Sequence, residues 1–287
     1  MTERILIQLD GDPQPSSFDS IVAIDAGVEH LLRYGSVQAT SVDSLVHGAM
    51  FTRGGENLKR TAIFVGGSDV EDAEQVLAAC EDAFFGPVRV SLMLDANGCN
   101  TTASAAVVTA NRHVPFSGTR AVVLGGTGPV GRRVSQLLAG DGADVVLTSR
   151  RLDRAESACA EVTRPGQTGN LTPMAVDSRR ETIAALDGAE IIIGCGAAGI
   201  ELLDQDTLSK VGTMQVAIDL NAVPPAGLGG IDLTDRAKPI GSGLGYGAIG
   251  VGGLKMKTHR AAIKKLFTAN DLVLDADEIY QIAKSLG

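Results

Sequence analysis

The stretch Ala121-Val-Val-Leu-Gly-Gly-Thr-Gly-Pro-Val-Gly131 constrains this chain more than any other. An apolar run enters a glycine turn and a helical pattern follows at once, which predicts strand, turn and helix. Gly126, Gly128 and Gly131 stand at G-x-G-x-x-G spacing. In a dinucleotide site the first glycine permits the tight turn, and the second lets a pyrophosphate approach the backbone. The third lets the helix pack on the strand. Phosphates would sit at the helix N-terminus, where unbonded N–H groups and the helix dipole favour an anion. Gly126, Thr127, Gly128, Pro129 and Val130 are therefore the candidate phosphate-binding residues.

With 35 glycines in 287 residues, the spacing alone is weak evidence, and the next strand decides. Asp144-Val-Val-Leu-Thr-Ser-Arg150 ends where an NAD-specific site carries an acidic residue, about 20 residues beyond the glycines. This chain has Ser149, Arg150, Arg151 and, one helical turn on, Arg154. A carboxylate there would repel a 2′-phosphate, whereas guanidinium groups offer it forked, charge-assisted donors. NADP is the cofactor this pattern selects. The alternative is a solvated basic helix start in which Arg pairs with Asp153 or Glu156.

Hydrophobic residues make up 44% of the chain and charged residues 21%, so a substantial core is expected. A net charge of −9 argues against nucleic acid as a general partner. No apolar run reaches the ~18 residues of a membrane span, and no signal-peptide core precedes the first strand, so a cytoplasmic protein is expected. Cys80, Cys99, Cys159 and Cys195 form no C-x-x-C pair and read as reduced thiols. No metal site is expected.

Before the fingerprint, strands are expected at Arg4–Leu9, near Ser36–Gln38, at Thr61–Val65 and at Val88–Leu94. The helices between them are Phe18–Leu32, Val42–Phe51 and Val70–Phe84. This alternation predicts a parallel sheet covered by helices. Five strands are expected in the cofactor domain, the last two being Glu190–Gly194 and Gln215–Asp219. A basic helix from about Leu254 to Phe267 and a capping box at Asp275–Glu278 close the chain. The fold class is α/β, with a Rossmann-type doubly wound parallel sheet at 101–267. A second, N-terminal α/β domain spans 1–100 with 268–287.

Several blocks resemble the bacterial NADP-dependent methylene-tetrahydromethanopterin dehydrogenases. They are Thr52-Arg-Gly-Gly55, Thr61-Ala-Ile-Phe-Val-Gly-Gly67, Phe84-Phe-Gly-Pro87 and Met93-Leu-Asp-Ala-Asn-Gly-Cys-Asn-Thr-Thr102. The fingerprint itself, Pro224–Asp232 and Gly250-Val-Gly-Gly-Leu-Lys-Met-Lys257 with His259-Arg260 complete the set. The resemblance covers nearly the whole chain. It implies hydride transfer from methylene-tetrahydromethanopterin to NADP⁺, giving the methenyl cation and NADPH; some members also accept methylene-tetrahydrofolate. It also implies that the N-terminal domain is the substrate (pterin) domain, that the active site lies in the cleft between the two domains, and that the protein is a homo-oligomer. The chemistry suits what is missing, because two flanking nitrogens stabilise the cation and no nucleophile or metal is required. No G-x-S-x-G or H-E-x-x-H motif is present.

Within that resemblance Lys255 is the first candidate for a substrate-facing catalytic group, with Lys257 as the neighbouring alternative. Asp95, Asn97, Asn100, Thr101 and Thr102 offer donors and acceptors suited to a pterin edge, and Arg53 is a candidate for the same wall. Asn and Asp are also ordinary turn residues. Ala197, Ala198 and Asn221 are expected near the ribose or nicotinamide, while His259 has no assigned role. The competing readings are a dehydrogenase specific for methylene-tetrahydrofolate and a non-catalytic NADP-binding sensor.

Overall fold

The computed structural model describes residues 2–287. Along the chain the elements run β1 (Ile5–Asp10), α1 (Ser17–Asp25), β2 (His30–Tyr34), α2 (Asp43–Phe51), β3 (Thr61–Gly66), α3 (Val70–Asp82), β4 (Ser91–Leu94) and α4 (Cys99–Asn111). They continue as β5 (Arg120–Leu124), α5 (Pro129–Gly140), β6 (Asp144–Ser149), α6 (Leu152–Val162), β7 (Asn170–Ala175), α7 (Arg179–Ala185), β8 (Ile191–Gly194), α8 (Gln205–Ser209) and β9 (Val216–Asp219). The last are β10 (Lys238–Ile240), β11 (Gly243–Tyr246), α9 (Ala248–Leu266), β12 (Val273–Leu274) and α10 (Ala276–Lys284).

Two compact units result. One runs to Thr101 and resumes over Met256–Leu286, and the other is Thr102–Lys255. The chain thus passes out of the first unit within α4 and returns within α9. The return falls at Met256 rather than at residue 268, because the second half of α9 supplies core to the first unit. Ala262, Ile263, Leu266 and Phe267 pack with Leu6, Phe64, Met93 and Ile279.

The first unit holds a five-stranded sheet in the order β2-β1-β3-β4-β12, with every neighbouring pair parallel. Strands β3 and β4 are buried along their whole length, as expected of near-continuous apolar strands covered on both faces. The expected helix Phe18–Leu32 is corrected here. Helix α1 stops at Asp25, Gly27 turns at φ 86°, and the chain then lies down beside β1 as strand β2. Ile21 and Ile24 mimicked a core stripe, yet they are 60% and 61% exposed, and α1 buries Ser20, Val22 and Ala23 instead. The expected strand at Ser36–Gln38 is absent, since Ser36 has a positive φ and Val37 merely donates to the Asp10 carbonyl.

The second unit holds a seven-stranded sheet, β7-β6-β5-β8-β9-β11-β10, parallel except for the β10–β11 pair. The five expected strands are extended by β10 and β11, which lie in a glycine-rich segment with little apolar periodicity. Helix α9 begins at Ala248, not near Leu254. Gly250 allows this early start, since a Cβ there would lie 1.9 Å from the Asp235 carbonyl oxygen. Lys255 therefore stands in the third turn of the helix rather than at its start. The capping box forms at the last helix, with Asp275 as N-cap and Glu278 reaching back to its amide at 3.1 Å. No helix is long and apolar enough to cross a membrane among the described residues.

The packing of α9 yields a stability prediction. Leu266 is fully buried, so Leu266→Ala should cost about 2–5 kcal/mol. A fall in the urea midpoint with retained secondary structure is expected. An unchanged midpoint would mean that α9 is not part of this core.

Candidate functional site

In both sheets the strand order reverses beside the first strand, and ligands of open α/β sheets bind at the carboxyl ends of such switch points. In the second unit the reversal lies between β5 and β8. The turn after β5 uses Gly125 at φ 67°, where a Cβ would come within 2.7 Å of the Gly196 Cα, so the two loops meet backbone to backbone. A Cβ at Gly131 would lie 2.7 Å from the Gly126 Cα, which fixes how closely α5 approaches the end of β5. At Gly128 a Cβ would meet nothing within 4 Å. That open space lies at the N-cap of α5, where no side chain caps the helix. Backbone N–H groups with no intrahelical partner are the donors an anion needs there.

Strand β6 ends beside this turn, and the Gly126 amide donates to the Thr148 carbonyl at 2.9 Å. Ser149 is buried and accepts from the Arg151 amide at 3.3 Å. Arg150, Arg151 and Arg154 are exposed. Arg151 is paired with Asp153, and this hydrogen-bonded contact holds the carboxyl below the usual range. An exposed pair of this kind contributes little and exchanges readily. The open glycine cradle, the uncapped helix and the basic strand end together fit a dinucleotide with a 2′-phosphate.

On the other side of the switch point, Ala197 and Ala198 are exposed in the loop after β8. The Asn221 side chain is committed to the backbone. Its Oδ1 accepts from Gly199 and Val223 at 3.4 and 3.0 Å, and its Nδ2 donates to Pro225 at 2.9 Å. Asn221 thus ties the β8 and β9 loops together. Sequence reasoning gave no role to the Asp219 carboxylate, which is 2% exposed. It accepts from the amides of Asn221, Gly227 and Leu228 at 3.1, 2.8 and 3.2 Å. Burial pushes its carboxyl up, and those three donors pull it back in part. The only sequence signal was an Asp ending an apolar strand ahead of a proline loop.

In the first unit the reversal lies between β1 and β3. Asp10 is buried and accepts from the Asp12 and Ser16 amides, each at 3.0 Å, shaping the loop after β1. Asp12 accepts from the Ser68 hydroxyl at 2.6 Å, joining that loop to the one after β3. The loop after β4 joins them through the Asn97 amide, which donates to Gly67 at 2.7 Å. Asn97 itself is exposed with φ 51°.

Asp95, Asn100 and Thr101 are each 0% exposed. Asp95 accepts from the Asn100 and Thr101 amides at 2.9 and 3.0 Å and from the Thr101 hydroxyl at 2.6 Å, so it caps α4. Asn100 donates to Leu94 and Asp275 at 2.6 and 2.8 Å. These three side chains shape the loop internally, and Asn97 is its outward member. Arg53 is likewise a strut, donating to the Glu3 and Arg60 carbonyls at 2.8 and 2.9 Å. Thr102 and Lys255 are half-buried, and Lys257 is exposed. Among the described residues no group of three His, Cys, Asp or Glu side chains is placed to hold a metal ion.

Two α/β units with binding loops at their switch points, one carrying a dinucleotide cradle, define the class as a nicotinamide-nucleotide dehydrogenase. The model of the methylene-tetrahydromethanopterin dehydrogenase N-terminal family matches residues 17–97. The chain is 45% identical to the "Bifunctional protein MdtA" of Methylorubrum extorquens, covering all of both chains. It is 34% identical to the same organism's NAD(P)-dependent methylenetetrahydromethanopterin dehydrogenase, covering 99% of this chain and 98% of that one. Shikimate 5-dehydrogenase from Listeria monocytogenes superposes with a TM-score of 0.57 at 12% identity, covering 98% of this chain and 96% of that one, a likeness of fold alone. The chain belongs to the methylene-tetrahydromethanopterin dehydrogenase family.

The glycine geometry separates two substitutions. Gly128→Ala should leave the thermal midpoint nearly unchanged and weaken NADP binding by about tenfold, or about 1.4 kcal/mol. Gly131→Val should lower the midpoint itself by pushing α5 off β5. Equal effects of the two on stability and binding would contradict the assignment.

Proposed function

We infer that the protein transfers a hydride from methylene-tetrahydromethanopterin to NADP⁺, giving the methenyl cation and NADPH, and that it also accepts methylene-tetrahydrofolate. The observation that carries this reading is the end-to-end relationship to two family members in a chain whose cofactor cradle is open at Gly128. NADP, when bound, supplies the hydride acceptor. The protein's own work is to orient the reactants and exclude water. The substrate needs no proton removed and no nucleophile, since the methylene carbon leaves its hydride and the adjacent nitrogens share the positive charge.

On this reading Gly126–Val130 hold the pyrophosphate, and Ser149, Arg150, Arg151 and Arg154 take the 2′-phosphate. The Ala197–Ala198 loop, braced by Asn221, lies against the nicotinamide side. The pterin is received by the first unit at the loops after β1, β3 and β4, through Asn97, with Asp95, Asn100 and Thr101 shaping the loop, and Thr102 is the next candidate along α4. Lys255 directs its ammonium at a polar atom of the pterin, and Lys257 is the secondary candidate. A cytoplasmic homo-oligomer fits four cysteines that form no disulfide among the described residues and the exposed Ile21 and Ile24 on the outside of α1.

Activity should be read as nicotinamide reduction with each pterin offered against NAD and NADP. Methylene-tetrahydromethanopterin with NADP is expected to give turnover, and failure with both pterins despite NADP binding would remove the substrate assignment. Activity with folate alone would support the folate-specific alternative. Arg151→Glu should weaken NADP binding at least about tenfold more than NAD binding; equal losses for both nucleotides would contradict it. Lys255→Ala should lower turnover about 10- to 100-fold while leaving NADP affinity nearly intact, and unchanged turnover would take Lys255 out of the site.

A further inference from the structure

His259 has no role in the reading above, yet its surroundings are unusual for a helix residue. It is 0% exposed, as is Asp95, and its Nδ1 lies 3.9 Å from the Asp95 Oδ2. Its ring stacks on Phe64 of the central strand β3, with centroids 5.7 Å apart and planes 21° apart. Phe18, in the first turn of α1, lies 6.4 Å away, tilted at 37°. Burying an imidazole among aromatic rings is costly unless a polar partner compensates. The neighbouring core positions of α9 are filled by Ile263 and Leu266, so apolar filling alone does not account for a histidine. What the histidine adds is a polar contact, longer than a hydrogen bond, between α9 and Asp95, the carboxylate that caps α4 and shapes the Asn97–Thr101 loop.

Lys255 precedes His259 by four residues on α9, so the two share one face of the helix. We propose that His259 is a positioning residue: by anchoring α9 to the Asp95 loop, it sets the direction of Lys255 and so the orientation of the pterin. The proposal rests on the Lys255 reading given above. Three segments, the β4–α4 loop, β3 and α1, converge on one imidazole, and a shift in any of them is conveyed to α9. His259 does not take up a proton or hydride in this account.

The test uses the full-length protein with four variants: H259F, which keeps the aromatic stack but loses the polar link, H259Q, which keeps a hydrogen-bonding end, K255A, and the H259F/K255A double variant. For each, kcat and the KM values for methylene-tetrahydromethanopterin and NADP are measured together with the thermal midpoint. H259F is expected to lower kcat/KM for the pterin about tenfold or more while the KM for NADP stays within about twofold. H259Q should recover most of the loss, and the double variant should be no worse than K255A, because the two residues act as one unit. If H259F does not fold, H259L takes its place in the same comparison. Kinetics within about twofold of the parent would overturn the proposal. So would losses that multiply in the double variant, or a parallel loss of both KM values and the midpoint that H259Q fails to recover. Full turnover in K255A is a separate outcome, which removes the Lys255 reading and the link to it together.

Discussion

Helix α5 can meet the end of β5 only because Gly131 presents no side chain to the Gly126 backbone, 2.7 Å from where its Cβ would stand. Much of the second unit follows from that contact. The same turn meets the loop after β8 backbone to backbone at Gly125 and Gly196, and the helix has no capping side chain because its N-cap is Gly128, where a Cβ would meet open space. A helix end held this way is costly to bury and ready to receive an anion. On the proposed reading the basic end of β6 then selects the nucleotide, since a carboxylate in place of its guanidinium groups would repel a 2′-phosphate.

In the first unit buried acidic side chains fold the loops at the strand ends. Asp10, Asp95 and, in the other unit, Asp219 each lie at the carboxyl end of a strand and satisfy backbone amides of the loop that follows. Each is at most 2% exposed. An acidic side chain can be buried there because several N–H donors replace its water. Rigid loops at the switch points are the requirement of a hydride transfer that depends on orientation rather than on acid, base or metal.

The alternation of strands and helices in both units was legible because its signals are local. The Ala121–Gly131 run states strand, turn and helix within a few residues, and Ser149–Arg151 lies a fixed distance beyond it. The α1–β2 region was misread because Phe18, Ile21, Ile24, Val28 and Leu31 keep a helical period across Gly27, and the period cannot show that the outer members are solvent-facing. Strands β10 and β11 were missed because glycine replaces the alternating apolar residues that mark a strand. The polar cluster Asp95–Thr102 was visible, but not which members point inward. That follows from Asp95 capping α4, a contact of tertiary geometry that residue type does not reveal. His259 stood in a block that carries the resemblance but had no assigned role, because its partners come from β3, α1 and the β4 loop, all far away in sequence.

The most direct measurement of the central claim follows the transferred hydrogen itself. Methylene-tetrahydromethanopterin carrying deuterium in both positions of the methylene carbon is incubated with the protein and NADP⁺, and the reduced nucleotide is examined by NMR. Deuterium at nicotinamide C4, in one stereochemical position and without exchange with water, is the predicted result. Reduced nucleotide carrying solvent hydrogen instead, or unlabelled nucleotide beside consumed substrate, would contradict direct transfer between the two ligands.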